Sequence, residues 1–219
     1  MDWLAALSTE WVLAVAFVLG VARLGVAALR RQIGVKTDQN VGELIESLLF
    51  AWVTVFLIVR PFFFEPFRIP STSMVPTLNV GDRIVVNRYL YRLHPPQRGD
   101  VIVFKSPPAA LKDEADFVKR LIGLPGDKID LRNGDVYLND QPLKEPYTPG
   151  SHITESLEGP ENPAALHFPY RVPPGRYLMM GDNREVSFDS RGWGIIEAWR
   201  IKGKAVLKFW PPKDFGRIR

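Results

Sequence analysis

The sequence predicts a mainly β domain preceded by one or two transmembrane helices. Three observations lead there. Two long apolar stretches fill most of the first 64 residues. From Arg68 onward the pattern changes to short β-branched runs, most of them introduced by a Gly-Asp pair. No helical periodicity of comparable strength occurs in that second part, so its core is expected to be built from strands.

The first apolar stretch, Trp11 to Leu29, is broken only by Arg23. The second, Leu44 to Phe64, carries Glu46 near one end and Arg60 near the other. Each reaches the roughly 20 apolar residues that a spanning helix needs. A buried core helix is the alternative for both. The second is apolar on every side, which suits lipid; the first must let Arg23 snorkel or pair. A removable signal peptide fits poorly, because Asp2 and Glu10, and no Lys or Arg, precede the first stretch. Arg30, Arg31 and Lys36 lie between the stretches, so the positive-inside rule places that loop in the cytoplasm and the residues after Phe64 outside. Pro61 and Pro66 then end the second helix, and the Phe residues between them suit a membrane interface.

The expected division is residues 1–43 as a first span with its cytoplasmic loop, 44–64 as a transmembrane helix, and 65–219 as the extracytoplasmic domain. Net charge is +4, with Lys and Arg scattered rather than clustered. That favours contact with anionic lipid headgroups over nucleic acid, and no nucleic-acid partner is expected. The absence of Cys rules out a disulfide framework, a thiolate nucleophile and a Cys-based metal site.

Gly-Asp recurs at Gly81, Gly99, Gly126, Gly134 and Gly181. The first four pairs lead into Arg83–Val86, Val101–Phe104, Lys128–Leu131 and Val136–Leu138. Glycine opens a turn, Asp tolerates turn conformations, and β-branched residues follow. Asn133-Gly134 between two such runs signals a hairpin. Arg176 to Met180 and Ile201 to Trp210 are expected as later strands, and Pro-rich Lys144 to Pro174 as irregular chain. The fifth pair opens a different segment, Gly181 to Gly192, dense in Asp, Arg, Asn and Ser. Such a loop beside a β core is either a structural brace or part of a site.

The sequence lacks a Gly-x-Ser-x-Gly elbow, a His-Glu-x-x-His pair and a phosphate-binding Gly-rich loop. His94, His152 and His167 sit in Pro-rich or loop contexts, where each is expected to be a surface residue. Ser71, Thr72 and Ser73 stand between Pro70 and Pro76, a few residues past the predicted membrane exit. Three hydroxyls in a row form an ordinary turn unless a base lies within reach. Without a nearby His, the available base is a Lys whose pKa is lowered by burial. Lys119 is placed for that: in a strand, Phe117, Lys119 and Leu121 share one face and Arg120 takes the other. The competing reading is a Lys that snorkels from an edge strand.

Four segments together resemble the bacterial type I signal peptidases, a Ser/Lys protease family. Ser71-Thr72-Ser73-Met74-Val75-Pro76-Thr77-Leu78 is similar to their nucleophile box, and Gly81-Asp82-Arg83-Ile84-Val85-Val86-Asn87-Arg88 to the next. Lys119-Arg120-Leu121-Ile122-Gly123-Leu124-Pro125-Gly126-Asp127 resembles the Lys box. Gly181-Asp182-Asn183-Arg184 with Ser187, Asp189-Ser190-Arg191 and Gly192 resembles the last.

The resemblance implies a signal-peptidase-like catalytic β domain with a smaller inserted β domain, here within Leu131 to Pro174. It implies Ser73 as nucleophile and Lys119 as general base. The Ser73 backbone N–H and the Ser71 hydroxyl would form the oxyanion hole, and Ser187 would orient Lys119. Asp182, Arg184, Asp189 and Arg191 would support the site. No metal or cofactor is implied. The implied partners are preprotein signal peptides with small residues before the cut, of the Ala-x-Ala type, and the lipid bilayer. The implied place is the bacterial cytoplasmic membrane, since the endoplasmic-reticulum branch uses His in place of Lys. A self-cleaving repressor-type Ser/Lys protease is disfavoured by the apolar stretches and the lack of a helical DNA-binding module. An inactive membrane-anchored binding module is disfavoured by the intact Ser73, Lys119, Ser71 and Ser187.

Overall fold

The computed structural model describes residues 64–110, 114–148, 154–157 and 163–218, together with Ser47, Phe50 and Ala51. Trp11 to Leu29 and most of Leu44 to Phe64 therefore lie outside the described residues. Among the described residues no helix is long and apolar enough to cross a membrane. The chain divides into two compact units, Met1–Pro61 and Phe62–Arg219, and every element below belongs to the second.

That unit is mainly β. Its strands are β1 (Phe64–Arg68), β2 (Arg83–Asn87), β3 (Val101–Lys105), β4 (Asp116–Gly123), β5 (Lys128–Arg132) and β6 (Asp135–Leu138). They are followed by β7 (Gln141–Pro142), β8 (Tyr170–Arg171), β9 (Arg176–Met180), β10 (Ile196–Glu197), β11 (Ile201–Trp210) and β12 (Gly216–Arg217). Among the described residues it also holds two one-turn helices, α1 (Leu90–Leu93) and α2 (Ser190–Trp193), and two short 3₁₀ turns. An eight-stranded antiparallel sheet runs β1-β2-β11-β3-β4-β9-β10, with β12 also pairing β11. A separate four-stranded sheet runs β7-β6-β5-β8. The first strand begins at Phe64, the last residue of the predicted second span, and pairs in register with β2.

The recurring Gly-Asp pairs have one structural cause in three places. The backbone N–H groups of Asn79, Gln97 and Leu124 donate to the carboxylates of Asp82, Asp100 and Asp127 at 2.9, 3.0 and 2.7 Å. The N–H of each Asp returns a bond to the carbonyl of the same partner residue. The intervening Gly81, Gly99 and Gly126 hold φ near +90°, a conformation that a side chain would resist. Each turn therefore closes twice and delivers the chain into a strand. The fourth pair serves the hairpin instead: Asn133 and Gly134 both have positive φ, and Arg132 faces Asp135 across the two-residue turn.

Strand β3 is apolar at every position from Val101 to Phe104 because both of its faces are buried. Val101 and Val103 join one core cluster with Ile69, Met74, Leu78 and Ile84. Ile102 and Phe104 join a second with Leu121, Met179 and Trp193. A third cluster links the two sheets through Ile122, Ile129, Val136, Leu178 and Met180. Strand β9 alternates between the second and third clusters in the same way, which is why its sequence is also apolar almost throughout.

Candidate active site

The segment after Ile69 turns back on itself between two core anchors. Met74 and Leu78 are buried and joined by a backbone bond, Leu78 N–H to Met74 O at 2.8 Å. Anchoring these two residues leaves Ser73 largely buried beside them, while Ser71 stays exposed. The two hydroxyl oxygens lie 3.2 Å apart. The Ser73 carbonyl accepts from the Asn183 N–H at 3.1 Å, which ties the turn to the loop that follows β9.

Lys119 lies on β4. Strand β9 pairs with β4 only from Arg120 to Gly123, so among the described residues Asp116 to Lys119 have β3 on one edge and no strand on the other. A groove of about 370 Å³ opens there. Ser71, Ser73 and Lys119 line it together with Ile69, Met74 and Phe117, and Val186 and Phe188 border it from the loop after β9. The Lys119 ammonium nitrogen is 5.9 Å from the centre of the Phe117 ring. Lys119 is only 5 % exposed. Burial pulls its pKa down to about 8; Asp189 and Asp182 draw it upward and Arg191 pushes it further down.

Ser187 lies on the loop after β9 and does not line the groove itself. Its Oγ is buried and has no hydrogen-bond partner among the described residues. Gly181 lies between it and Ser73: a methyl group added there would come within 2.2 Å of Ser187 Oγ and 2.5 Å of the Ser73 carbonyl oxygen. Glycine is thus required by close approach, and it brings these two serines against the same backbone point.

The loop carrying Ser187 is held by buried ion pairs. Asp189 accepts from Arg191 Nε and Nη2, both at 2.9 Å, and from the Gly181 N–H at 3.0 Å. Burial pushes the Asp189 carboxyl up, but Arg191 and the Gly181 N–H outweigh it and hold the pKa below the usual range. Arg191 also donates to the carbonyls of Arg184 and Ser187 at 2.7 and 3.1 Å. Arg184 donates to the Gly181 carbonyl at 3.0 Å and makes a two-pronged pair with Glu145. Asp182 receives Arg120 Nε and Nη2 at 2.8 and 2.7 Å and the Thr77 hydroxyl at 2.5 Å.

A family profile described as signal peptidase, peptidase S26, matches residues 41–210. The chain belongs to the signal peptidase S26 family. Relatives bearing that name are close over most of the chain. A signal peptidase I of Leptolyngbya laminosa is 39 % identical over 188 residues, 84 % of this chain and 86 % of that one. A probable signal peptidase I-1 of Synechocystis is 42 % identical, over 82 % of this chain and 88 % of its own. A signal peptidase IB of Staphylococcus aureus is 39 % identical, over 79 % and 91 %. A solved signal peptidase I from Enterococcus faecalis is 33 % identical, with a TM-score of 0.39, covering 50 % of this chain and 95 % of that one.

In this S26 chain the fold gathers Ser71, Ser73 and Lys119 at one groove and sets Ser187 beside the Ser73 backbone. Asp182, Arg184, Asp189 and Arg191 form the buried bracing around them. His94 and His167 are exposed and do not line the groove; His152 lies outside the described residues. Three participants had no sequence signal of their own. Glu145 and Tyr147 come from the Pro-rich stretch, where periodicity is silent. Tyr147 bonds Glu145 at 2.9 Å, and its ring lies 4.0 Å from the Arg120 guanidinium, joining the two ion pairs. Arg120 was expected only on the opposite face from Lys119; its role as the partner of Asp182 emerges from the fold.

Proposed function

We propose that the chain is a membrane-anchored serine endopeptidase that cleaves N-terminal signal peptides from exported preproteins, with Ser73 as nucleophile and Lys119 as general base. The observation that carries this is a buried amine with a pKa of about 8 in the same groove as the Ser73 hydroxyl. At pH 7 a group of that pKa is about one-tenth neutral, against roughly 0.04 % for an unperturbed Lys. Burial thus raises the fraction of competent base by about 250-fold. The S26 membership and the names of the relatives support the substrate class.

The unpaired edge of β4 from Asp116 to Lys119 offers backbone groups to an extended peptide laid along the groove. As Ser73 Oγ bonds to the scissile carbonyl carbon, its proton passes to Lys119 Nζ. The carbonyl oxygen takes the negative charge, and the Ser73 N–H and Ser71 hydroxyl donate to it. The Lys119 ammonium then gives its proton to the leaving amine as the C–N bond breaks, leaving an acyl-enzyme. Water next loses a proton to Lys119 and attacks the ester, and that proton returns to Ser73 Oγ. We assign the unpartnered Ser187 hydroxyl to orienting Lys119 Nζ, and Asp182, Arg184, Asp189 and Arg191 to holding the loop that presents it.

Residues 65–219 would be extracytoplasmic, with the four-stranded sheet β7-β6-β5-β8 as the smaller β domain, which begins at Lys128 and not at the expected Leu131. Trp11 to Leu29 and Leu44 to Phe64 would be spans in the cytoplasmic membrane, on the strength of their apolar length and of Arg30, Arg31 and Lys36 between them. The test is cleavage of a preprotein by the full chain in detergent. Ser73→Ala should abolish product while keeping the wild-type melting temperature. Wild-type rate should rise tenfold per pH unit below about 8 and level off above it. Lys119→Arg should be inactive, because guanidinium stays charged. Processing by a folded Ser73→Ala chain, or an active Lys119→Arg chain, would overturn the assignment.

A further inference from the structure

The loop from Gly181 to Gly192 is almost wholly polar, yet Val186 and Phe188 interrupt it. They are 59 % and 46 % exposed, whereas Ser187 between them is 3 % exposed. Two exposed apolar side chains bordering one groove make a candidate contact surface. Both border the groove that contains Ser73 and Lys119. Phe188 is also held in place. Its ring packs so closely on Gly192 that a methyl group there would come within 2.4 Å of it, and its carbonyl accepts from Trp193 Nε1 at 3.3 Å. A fixed apolar surface loses little conformational freedom when a ligand covers it.

The chemistry indicates which part of a substrate would do so. A base that moves a proton from nucleophile to leaving amine must stand between them. The amine, and the residues that follow it, therefore lie on the side of Lys119 and Ser187, away from the Ser71 hydroxyl. Val186 and Phe188 are the chain neighbours of Ser187, and both line the groove. We propose that Val186 and Phe188 form an apolar wall for a substrate side chain on the mature side of the cut bond. The wall favours preproteins with an apolar residue just after the cleavage site over those with a charged one. This rests on the Ser73 and Lys119 reading above. Covering the open half of a Phe ring with an apolar side chain gains affinity, while pressing a charge against it costs hydration. The expected discrimination is about tenfold, read mainly in KM.

The experiment uses the full chain in detergent and preproteins that differ only in the first two residues after the cut: Leu, Ala, Lys or Glu. Wild type should cleave the Leu substrate about tenfold more efficiently than the Lys or Glu substrates. Phe188→Ala should collapse that ratio towards one; Phe188→Leu, a smaller change in the packing against Gly192, should retain part of it. Val186→Lys, at an exposed position, should create a preference of at least fivefold for Glu over Lys. The inference is overturned if wild type shows no such ranking, or if the ratios are unchanged in both Phe188→Ala and Val186→Lys. It is equally overturned if the variants alter preference only for residues before the cut. A wild-type chain that cleaves none of the set, or a Ser73→Ala chain that cleaves them all, removes the functional reading itself and this inference with it.

Discussion

Replacing Lys119 with Met separates the burial of the amine from any assay of cleavage. Met keeps an unbranched chain of similar length and removes the charge. The Lys119 pKa falls from 10.5 to about 8 on folding, chiefly because burial disfavours the ammonium form. At about 1.36 kcal/mol per pKa unit, holding the charged form in the folded chain costs roughly 3 kcal/mol. Below pH 8 the amine is charged in both states and the whole cost is present. Between pH 8 and 10.5 the folded chain has released the proton while the unfolded chain keeps it, so wild-type stability rises with pH. Above 10.5 both forms are neutral and the cost is gone. Lys119→Met should therefore unfold at a higher temperature than wild type at pH 7, by several degrees for a domain of this size. The gap should close steadily between pH 8 and pH 10.5. Differential scanning calorimetry of both chains in the same detergent, at half-unit pH steps, reads this directly. Because other groups titrate equally in the two chains, only the difference matters. A difference that does not vary with pH, or a Met chain less stable at pH 7, would refute a buried, depressed Lys119.

Four further outcomes follow from the same geometry. Gly181→Ala should reduce cleavage at least a hundredfold and lower stability by about 1–3 kcal/mol, since its methyl group overlaps Ser187 Oγ and the Ser73 carbonyl; urea unfolding and a cleavage assay measure both. Arg120→Ala leaves the Asp182 carboxylate buried without its main partner and should cost about 3–5 kcal/mol, measured by the shift in unfolding midpoint. Asn133→Ala, at a left-handed turn position, should destabilise by about 1 kcal/mol in the same assay, whereas Asn133→Gly should be neutral or slightly stabilising. Reporters fused near Lys36 should read as cytoplasmic and those after Phe64 as extracytoplasmic; both on one side would remove the span from Leu44 to Phe64.

Much of the fold was legible because its turns are encoded locally. A Gly that supplies positive φ and an Asp whose carboxylate caps its own turn lie next to each other, so Gly81-Asp82, Gly99-Asp100 and Gly126-Asp127 announce the strands after them. Asn133-Gly134 likewise declares its hairpin. Strand β1 was read as a membrane exit instead, because Phe-rich chain bounded by Pro suits an interface as well as a sheet edge. The two-residue strands β7, β8, β10 and β12 are too short to leave any periodicity.

For the candidate site, the sequence offered the hydroxyl run Ser71 to Ser73 and the base candidate Lys119, the resemblance implied Ser73 as the nucleophile, and strand alternation put Lys119 and Arg120 on opposite faces. Alternation records a side chain's direction and not its neighbour. The tertiary structure decided the rest. Lys119 acquires its low pKa chiefly from the closure of distant segments over β4, helped by Arg191 and opposed by Asp189 and Asp182. Arg120 meets Asp182 across 62 residues of chain, and Arg184 meets Glu145 across 39. Burial and charge pairing depend on three-dimensional distance, and no local pattern of residues carries that distance.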